Sequence, residues 1–135
     1  MPVTGFTNGC FDLLHEGHKH LLSEARKQCD RLIVAINSDE SVRRLKGSER
    51  PIWNESRRIG AMCQFGCEYP FIVGDEDHLR HTIRTLRPDV IFKGSDYEGK
   101  DVVGSDLARV VLIPLLPGYS TTNEIEKRHG LRDRQ

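Results

Sequence analysis

What the chain lacks narrows the reading first. In 135 residues there is no apolar stretch long enough to cross a bilayer, and the opening Met1-Pro2-Val3-Thr4 has neither the charged nor the apolar segment of a secretory signal. A cytoplasmic protein without a membrane partner is the expectation. Neither charge is in excess, since 20 Lys plus Arg balance 20 Asp plus Glu. No global attraction to nucleic acid follows, so an anionic ligand has to be held by a local cluster. The four cysteines include no Cys-x-x-Cys pair, which points to reduced thiols rather than a disulfide framework. Cys63 and Cys67, four apart on an expected helix, could make a metal or redox pair, yet no further Cys or His stands at ligand spacing. Buried or half-buried structural thiols are therefore expected. With no internal repeat, low-complexity segment or linker, the chain reads as one domain over residues 1–131 with a fraying polar tail at 132–135.

What is present is a rhythm of short apolar runs separated by amphipathic stretches. Val3 to Thr7, Leu32 to Ile36, Phe71 to Val73, Val90 to Phe92 and Val110 to Ile113 lack the alternation of half-exposed strands. They read as strands covered on both faces, as in a parallel sheet. His18, Leu21, Leu22, Ala25 and Cys29 recur at helical spacing. Further helices are expected over Asp39 to Leu45, Glu55 to Phe65, His78 to Leu86 and Ser120 to His129, the fourth ending where Arg87 precedes Pro88. Alternating strands and helices give a Rossmann-like doubly wound α/β sheet of about five parallel strands, with helices on both faces. Ligands of such sheets collect at the carboxyl ends of the strands, so the loops there are the places for chemistry.

The first such loop is Thr7-Asn8-Gly9-Cys10-Phe11-Asp12-Leu13-Leu14-His15-Glu16-Gly17-His18. Gly9 permits a sharp exit from the strand, and Gly17 removes a side chain where His18 opens the next helix. A helix N-terminus offers free amide donors and a positive dipole end, and His15 and His18, three apart, can both face a phosphate placed there. A zinc site would need a third ligand that this segment lacks.

Asn8 to Asp12 followed by His15-Glu16-Gly17-His18 resembles the HxGH signature of the cytidylyltransferase-like nucleotidyltransferases. A wider set is similar to the heptose 1-phosphate adenylyltransferases: Ala35 to Val42, Arg44 to Gly47, Arg50-Pro51, Arg58, Lys93-Gly94-Ser95-Asp96-Tyr97, Val103-Gly104 and Gly118 to Asn123. Ser95 stands where that family often has Gly, and Trp53 adds bulk ahead of Arg58. Glycerol 3-phosphate cytidylyltransferases share most of these motifs but typically carry an Arg ahead of the Ser-Thr-Thr segment, where this chain has Leu115 to Tyr119. The sugar branch is favoured on that ground.

The resemblance implies transfer of AMP from ATP to a sugar 1-phosphate, with a CTP-dependent enzyme acting on a polyol phosphate, or a non-catalytic nucleotide-binding module, as alternatives. It implies that His15 and His18 hydrogen-bond the α- and β-phosphates. Lys46 would act from a loop on the α-phosphate or the incoming sugar phosphate, and Arg58 would clamp the triphosphate, with Arg57 a solvated neighbour that could exchange roles with it. The nucleotide would lie against Asn8, Gly9, Cys10, Phe11, Lys93, Gly94, Asp96, Tyr97, Ser120, Thr121 and Thr122. Asp12, Asn37, Asp39 and Lys46 are substrate candidates, although Asp39 reads first as a helix cap. The stretch from Lys93 to Gly104 suits a substrate loop that orders on binding. Magnesium would arrive on the nucleotide phosphates, with no protein metal ligands assigned, and Asp75-Glu76-Asp77 reads as a solvated loop and helix start. Relatives pair as homodimers, for which Trp53 or Phe65 could supply apolar contact.

Overall fold

The computed structural model describes residues 2–117. Five strands alternate with helices: β1 (Thr4–Gly9), α1 (Glu16–Arg26), β2 (Arg31–Asn37), α2 (Asp39–Lys46), α3 (Glu55–Gln64), β3 (Phe71–Val73), α4 (Glu76–Leu86), β4 (Val90–Gly94) and β5 (Arg109–Ile113), with a 3₁₀ turn at Ser95–Tyr97. All strand pairs are parallel, in the order β3-β2-β1-β4-β5. The order reverses between β1 and β4, which is where a doubly wound sheet opens a crevice at its carboxyl edge. The apolar runs end up central for the expected reason: β4 is buried along its whole length. The expected helix over Ser120 to His129, the residues Ser120, Thr121 and Thr122, and the tail at 132–135 lie outside the described residues.

The two faces of the sheet carry separate cores. Leu22 of α1 and Met62 of α3 pack on Val34 and Ile36, while Leu79 and Ile83 of α4 pack on Phe6, Ala35 and Ile91 opposite. Close approach demands glycine at Gly5 and Gly104, as it does at Gly94 at the end of β4. A Cβ on Gly5 would lie 2.6 Å from the Phe92 ring and 2.9 Å from Cys29 Sγ. At Gly104, φ is +89° and a Cβ would meet Ile83 at 2.9 Å.

Several expectations shift on contact with the structure. Helix α1 begins at Glu16, not at His18, because the His15 side chain accepts from Gly17 N and so makes His15 the N-cap. Ser38, not Asp39, caps α2. Lys46 is the last residue of that helix rather than part of a loop. Helix α4 stops at Leu86 because Arg87, crowded by Pro88, turns to the left-handed region at φ 50°. The segment expected to be a substrate loop is anchored, with Val102 buried and Gly104 set against the core. Trp53 and Phe65 are half-buried, and Leu45, Ile52, Tyr69 and Leu115 are among the exposed large apolar residues instead. Cys63 is exposed while Cys10, Cys29 and Cys67 are buried or half-buried. Among the described residues no helix is long and apolar enough to cross a membrane.

Candidate active site

Strand β1 delivers Cys10 to the carboxyl edge, and the loop after it is held in a tight, strained course. Phe11 and Leu13 have φ of 49° and 51°, in the left-handed region that bulky residues avoid. Both are buried, which fixes the reversal and turns the intervening Asp12 inward. Its carboxylate accepts from Arg50 Nε at 3.0 Å, Ile52 N at 2.8 Å and Trp53 N at 2.9 Å. Asp12, expected as a substrate contact, is thus a buried tie that straps the segment before α3 against the β1 loop.

The two histidines form a reciprocal cap on α1. His15 Nδ1 accepts from Gly17 N at 3.0 Å, and His18 Nδ1 accepts from His15 N at 3.2 Å. A ring nitrogen that accepts an amide proton carries none itself, so each imidazole holds its proton on Nε2. The rings lie 4.0 Å apart between centroids. Burial first, and the neighbouring His15 second, push the His18 pKa from 6.5 down to about 3. The result is a pair of adjoining, tilted imidazoles at a helix N-terminus, with His18 a neutral donor throughout the physiological range.

Arg58 departs from its expected role. It is fully buried, and its Nε donates to Trp53 O, one Nη to Cys10 O and Asn37 O, and the other Nη to Asp39 Oδ1 at 2.7 Å. A guanidinium so engaged ties the β1, β2 and α3 ends together and is not presented as a phosphate clamp. Asp39 is likewise occupied, through its ion pair with Arg58. The exposed Arg57 stacks over the Trp53 ring at 4.4 Å.

A polar chain crosses the strand ends. Lys93 Nζ donates to Asn8 O and Asn8 Oδ1, both at 2.8 Å, Asn8 Nδ2 reaches Asn37 Oδ1 at 3.5 Å, and Asn37 Nδ2 reaches Cys10 Sγ at 3.8 Å. Burial lowers the Lys93 pKa to about 8, while the Cys10 and Asp96 charges oppose that fall. Burial raises the Cys10 thiol pKa, and the charges of Lys46, Arg58 and Arg50 oppose the rise. Lys46, exposed at the end of α2, therefore has its ammonium within electrostatic reach of the β1 loop. Tyr97 lies with Lys93 5.0 Å from its ring centroid. Gly94 admits Asp96, whose Oδ1 would be 2.7 Å from a Cβ there.

A cavity of about 360 Å³ opens beside this chain, lined by Asn8, Asn37, Arg44, Asp75, Glu76 and Tyr97 among others. A larger one of about 740 Å³, involving Arg31 and Phe71, sits at the amino ends of β2 and β3, away from the histidines. Its size does not bring it to the chemistry. The structure thus gathers His15, His18, Asn8, Cys10, Asn37, Lys93 and Tyr97 at one edge. Missed by sequence reasoning were the ties from Asp12 to the Ile52 and Trp53 amides and the place of Asp75 and Glu76 on a cavity wall. Among the described residues no cluster of three or more His, Cys, Asp or Glu could hold a metal ion.

A family model described as cytidylyltransferase-like matches residues 6–122. The chain is 47% identical over 131 residues to the bifunctional protein HldE of Paramagnetospirillum magneticum, covering 93% of this chain and 27% of that protein. Against the bifunctional protein HldE of Rhodospirillum rubrum the identity is 50%, over 93% of this chain and 26% of the other. It thus spans about a quarter of the length of these relatives. Among solved structures, a lipopolysaccharide core biosynthesis protein of Thermoplasma volcanium superposes with a TM-score of 0.65 at 25% identity, over 86% of this chain and 98% of the other. A pantoate-beta-alanine ligase of Francisella tularensis shares the fold, with a TM-score of 0.60 at 15% identity over 99% of this chain and 72% of its own.

Proposed function

Because the chain belongs to the cytidylyltransferase-like family, we propose that it transfers AMP from ATP to a sugar 1-phosphate, a heptose 1-phosphate by its motif set, giving an ADP-sugar and pyrophosphate. The single observation that carries this reading is the reciprocal cap of His15 and His18 at the start of α1, which turns both Nδ1 atoms to backbone amides and so puts the proton of each ring on Nε2, the donor a phosphate needs.

The chemistry asks for little more than placement and charge. A phosphate oxygen of the acceptor attacks the α-phosphorus in line with the departing pyrophosphate, and the bond to the bridging oxygen breaks as the new one forms. The acceptor is already ionised, so no general base is required. The His18 Nε2–H, held neutral by burial, donates to the phosphate oxygens as negative charge shifts toward pyrophosphate. His15 serves beside it. A low pKa suits that task, because a fixed donor stabilises charge without transferring a proton. Lys46 supplies a mobile charge from the end of α2 to the α-phosphate or the acceptor phosphate. Arg58 and Asp12 act as positioning residues, holding the loop and the helix ends on which the donors stand.

Magnesium fits this site as a passenger of the nucleotide. The carboxylates of Asp12 and Asp39 are engaged by protein donors, so its ligands would come mostly from the phosphate oxygens and water. When bound it would neutralise charge on adjacent phosphates. A cytoplasmic homodimer is part of the same proposal.

Pyrophosphate release with magnesium, measured with ATP, CTP, GTP and UTP against heptose 1-phosphate and glycerol 3-phosphate, tests the assignment. Release with ATP and heptose 1-phosphate is expected. A signal confined to CTP, or none with any pair, would overturn it.

A further inference from the structure

Lys46 ends α2, a helix of eight residues in which only Ser41 and Val42 are buried. One buried apolar side chain is little packing with which to fix the direction of so short a helix. The end that carries Lys46 has less still. Arg43, Arg44, Leu45 and Lys46 are all exposed, and the chain leaves through Gly47, at φ +110°, where a Cβ would meet open space.

The start of α2, by contrast, is clasped by α3. Glu55 Oε1 accepts from Asp39 N at 2.8 Å. Three residues further along α3, Arg58 donates to Asp39 Oδ1 at 2.7 Å and to Asn37 O at 2.6 Å. Asp39 is thus held by its amide and by its carboxylate, and both partners stand on α3. Beyond α2 the chain is tied again where Asp12 accepts from Arg50, Ile52 and Trp53. Lys46 lies between these two ties. At about 1.5 Å of rise per residue it stands about 10 Å from Asp39, so a tilt of about 10° at the clasp carries it about 2 Å. A misplacement of about 1 Å costs up to about 10²-fold in rate.

Glu55 also lies in the first turn of α3, where a carboxylate complements the dipole of its own helix. That service needs a negative charge in the turn, whereas the bond to Asp39 N needs an acceptor oxygen at this one position. The two roles separate on replacement by glutamine, which keeps the oxygen and loses the charge.

We propose that Glu55 is a positioning residue for the transfer step: by accepting from Asp39 N it sets the direction of α2, and so the place at which the Lys46 ammonium meets the phosphates. The inference rests on the adenylyl-transfer reading above and deepens it, adding a residue that acts on the reaction only through Lys46.

The experiment compares the full chain with Glu55→Ala and Glu55→Gln. Alanine and glutamine are both good helix formers, and Asn54 still caps α3 through Arg57 N, so both variants are built to fold. Backbone residual dipolar couplings report the direction of each helix. In Glu55→Ala those of residues 40–46 should depart from wild type while those of α1 and α4 stay, and in Glu55→Gln all should match wild type. Pyrophosphate release should follow the same order, with kcat about tenfold lower in Glu55→Ala, the KM for ATP within about twofold, and Glu55→Gln near wild type. In a Lys46→Ala background the change Glu55→Ala should cost less than about twofold, because the group it places is gone. The proposal is overturned if α2 keeps its direction in Glu55→Ala, if Glu55→Gln loses as much as Glu55→Ala, or if the losses at positions 55 and 46 multiply. A wild-type chain that releases no pyrophosphate with any nucleotide would defeat the reaction itself, and the dipolar couplings would still decide whether Glu55 sets the direction of α2.

Discussion

The depressed pKa of His18 makes a quantitative prediction about acid stability. In the folded protein this imidazole takes up a proton only near pH 3, whereas in the unfolded chain it does so near 6.5. Below pH 6.5 the unfolded state therefore binds a proton that the folded state refuses, and stability falls as pH drops. The contribution is fully present above 6.5 and lost progressively toward 3, at about 1.4 kcal/mol per pH unit. At pH 5 the loss is about 2 kcal/mol, a large share of the stability of a small domain. Other groups titrate in the same range, so the informative quantity is a difference between variants. Urea unfolding of wild type and His18→Asn at pH 7.5 and pH 5.0 should show the stability gap between them shrink by about 2 kcal/mol on acidification. Parallel losses in the two proteins would refute the claim that this ring is buried and neutral. An imidazole resonance titrating near pH 6.5 and assigned to His18 would refute it independently.

Other perturbations separate chemistry from scaffold. His18→Ala should lower kcat for pyrophosphate release by about 10²-fold or more while leaving the KM for ATP within a few-fold, because the bond strengthens only as charge develops; equal losses in both would make it a ground-state contact. Arg58→Lys should destabilise the fold by about 3 kcal/mol in urea titrations, since a lysine cannot serve Trp53, Cys10, Asn37 and Asp39 at once. Unchanged stability with a raised KM for ATP would return Arg58 to the role of a phosphate clamp. The double change Cys63→Ser and Cys67→Ser should leave turnover nearly intact, since Cys67 accepts from Arg26, away from the histidines; lost activity in a folded protein would revive a redox or metal role. Lys93, held to about 8 against an ordinary 10.5, gives up its proton before the unfolded chain does. Stability should accordingly rise as pH climbs from about 8 toward 10.5, by an amount that Lys93→Met abolishes.

The parallel sheet was legible because burial on both faces leaves uninterrupted apolar runs, and Phe71–Val73 is strand β3 to the residue. Strand β1 runs two residues past its apolar stretch because Asn8 and Gly9 pair with Ala35 and Ile36, a matter of neighbours rather than hydropathy. The histidine pair was visible as an anion site, but not as a reciprocal cap, since imidazoles capping a helix leave no compositional trace. Arg58 and Asp12 mislead for a related reason. A charged residue inside a binding motif reads as a ligand contact, while its true partners, such as Cys10 O for Arg58, lie 48 residues away in sequence. Asp75 and Glu76 illustrate the converse, for the same acidic first turn serves a cap, a solvated surface or a cavity wall.

The central claim, that an adenylyl group moves to a sugar 1-phosphate, is most directly tested by following the phosphorus resonances of a reaction containing magnesium, ATP and heptose 1-phosphate. The account predicts a diphosphate-linked ADP-sugar and free pyrophosphate in equal amounts. ADP with a newly phosphorylated sugar, or no product beside a CTP-dependent one under the same conditions, would contradict it.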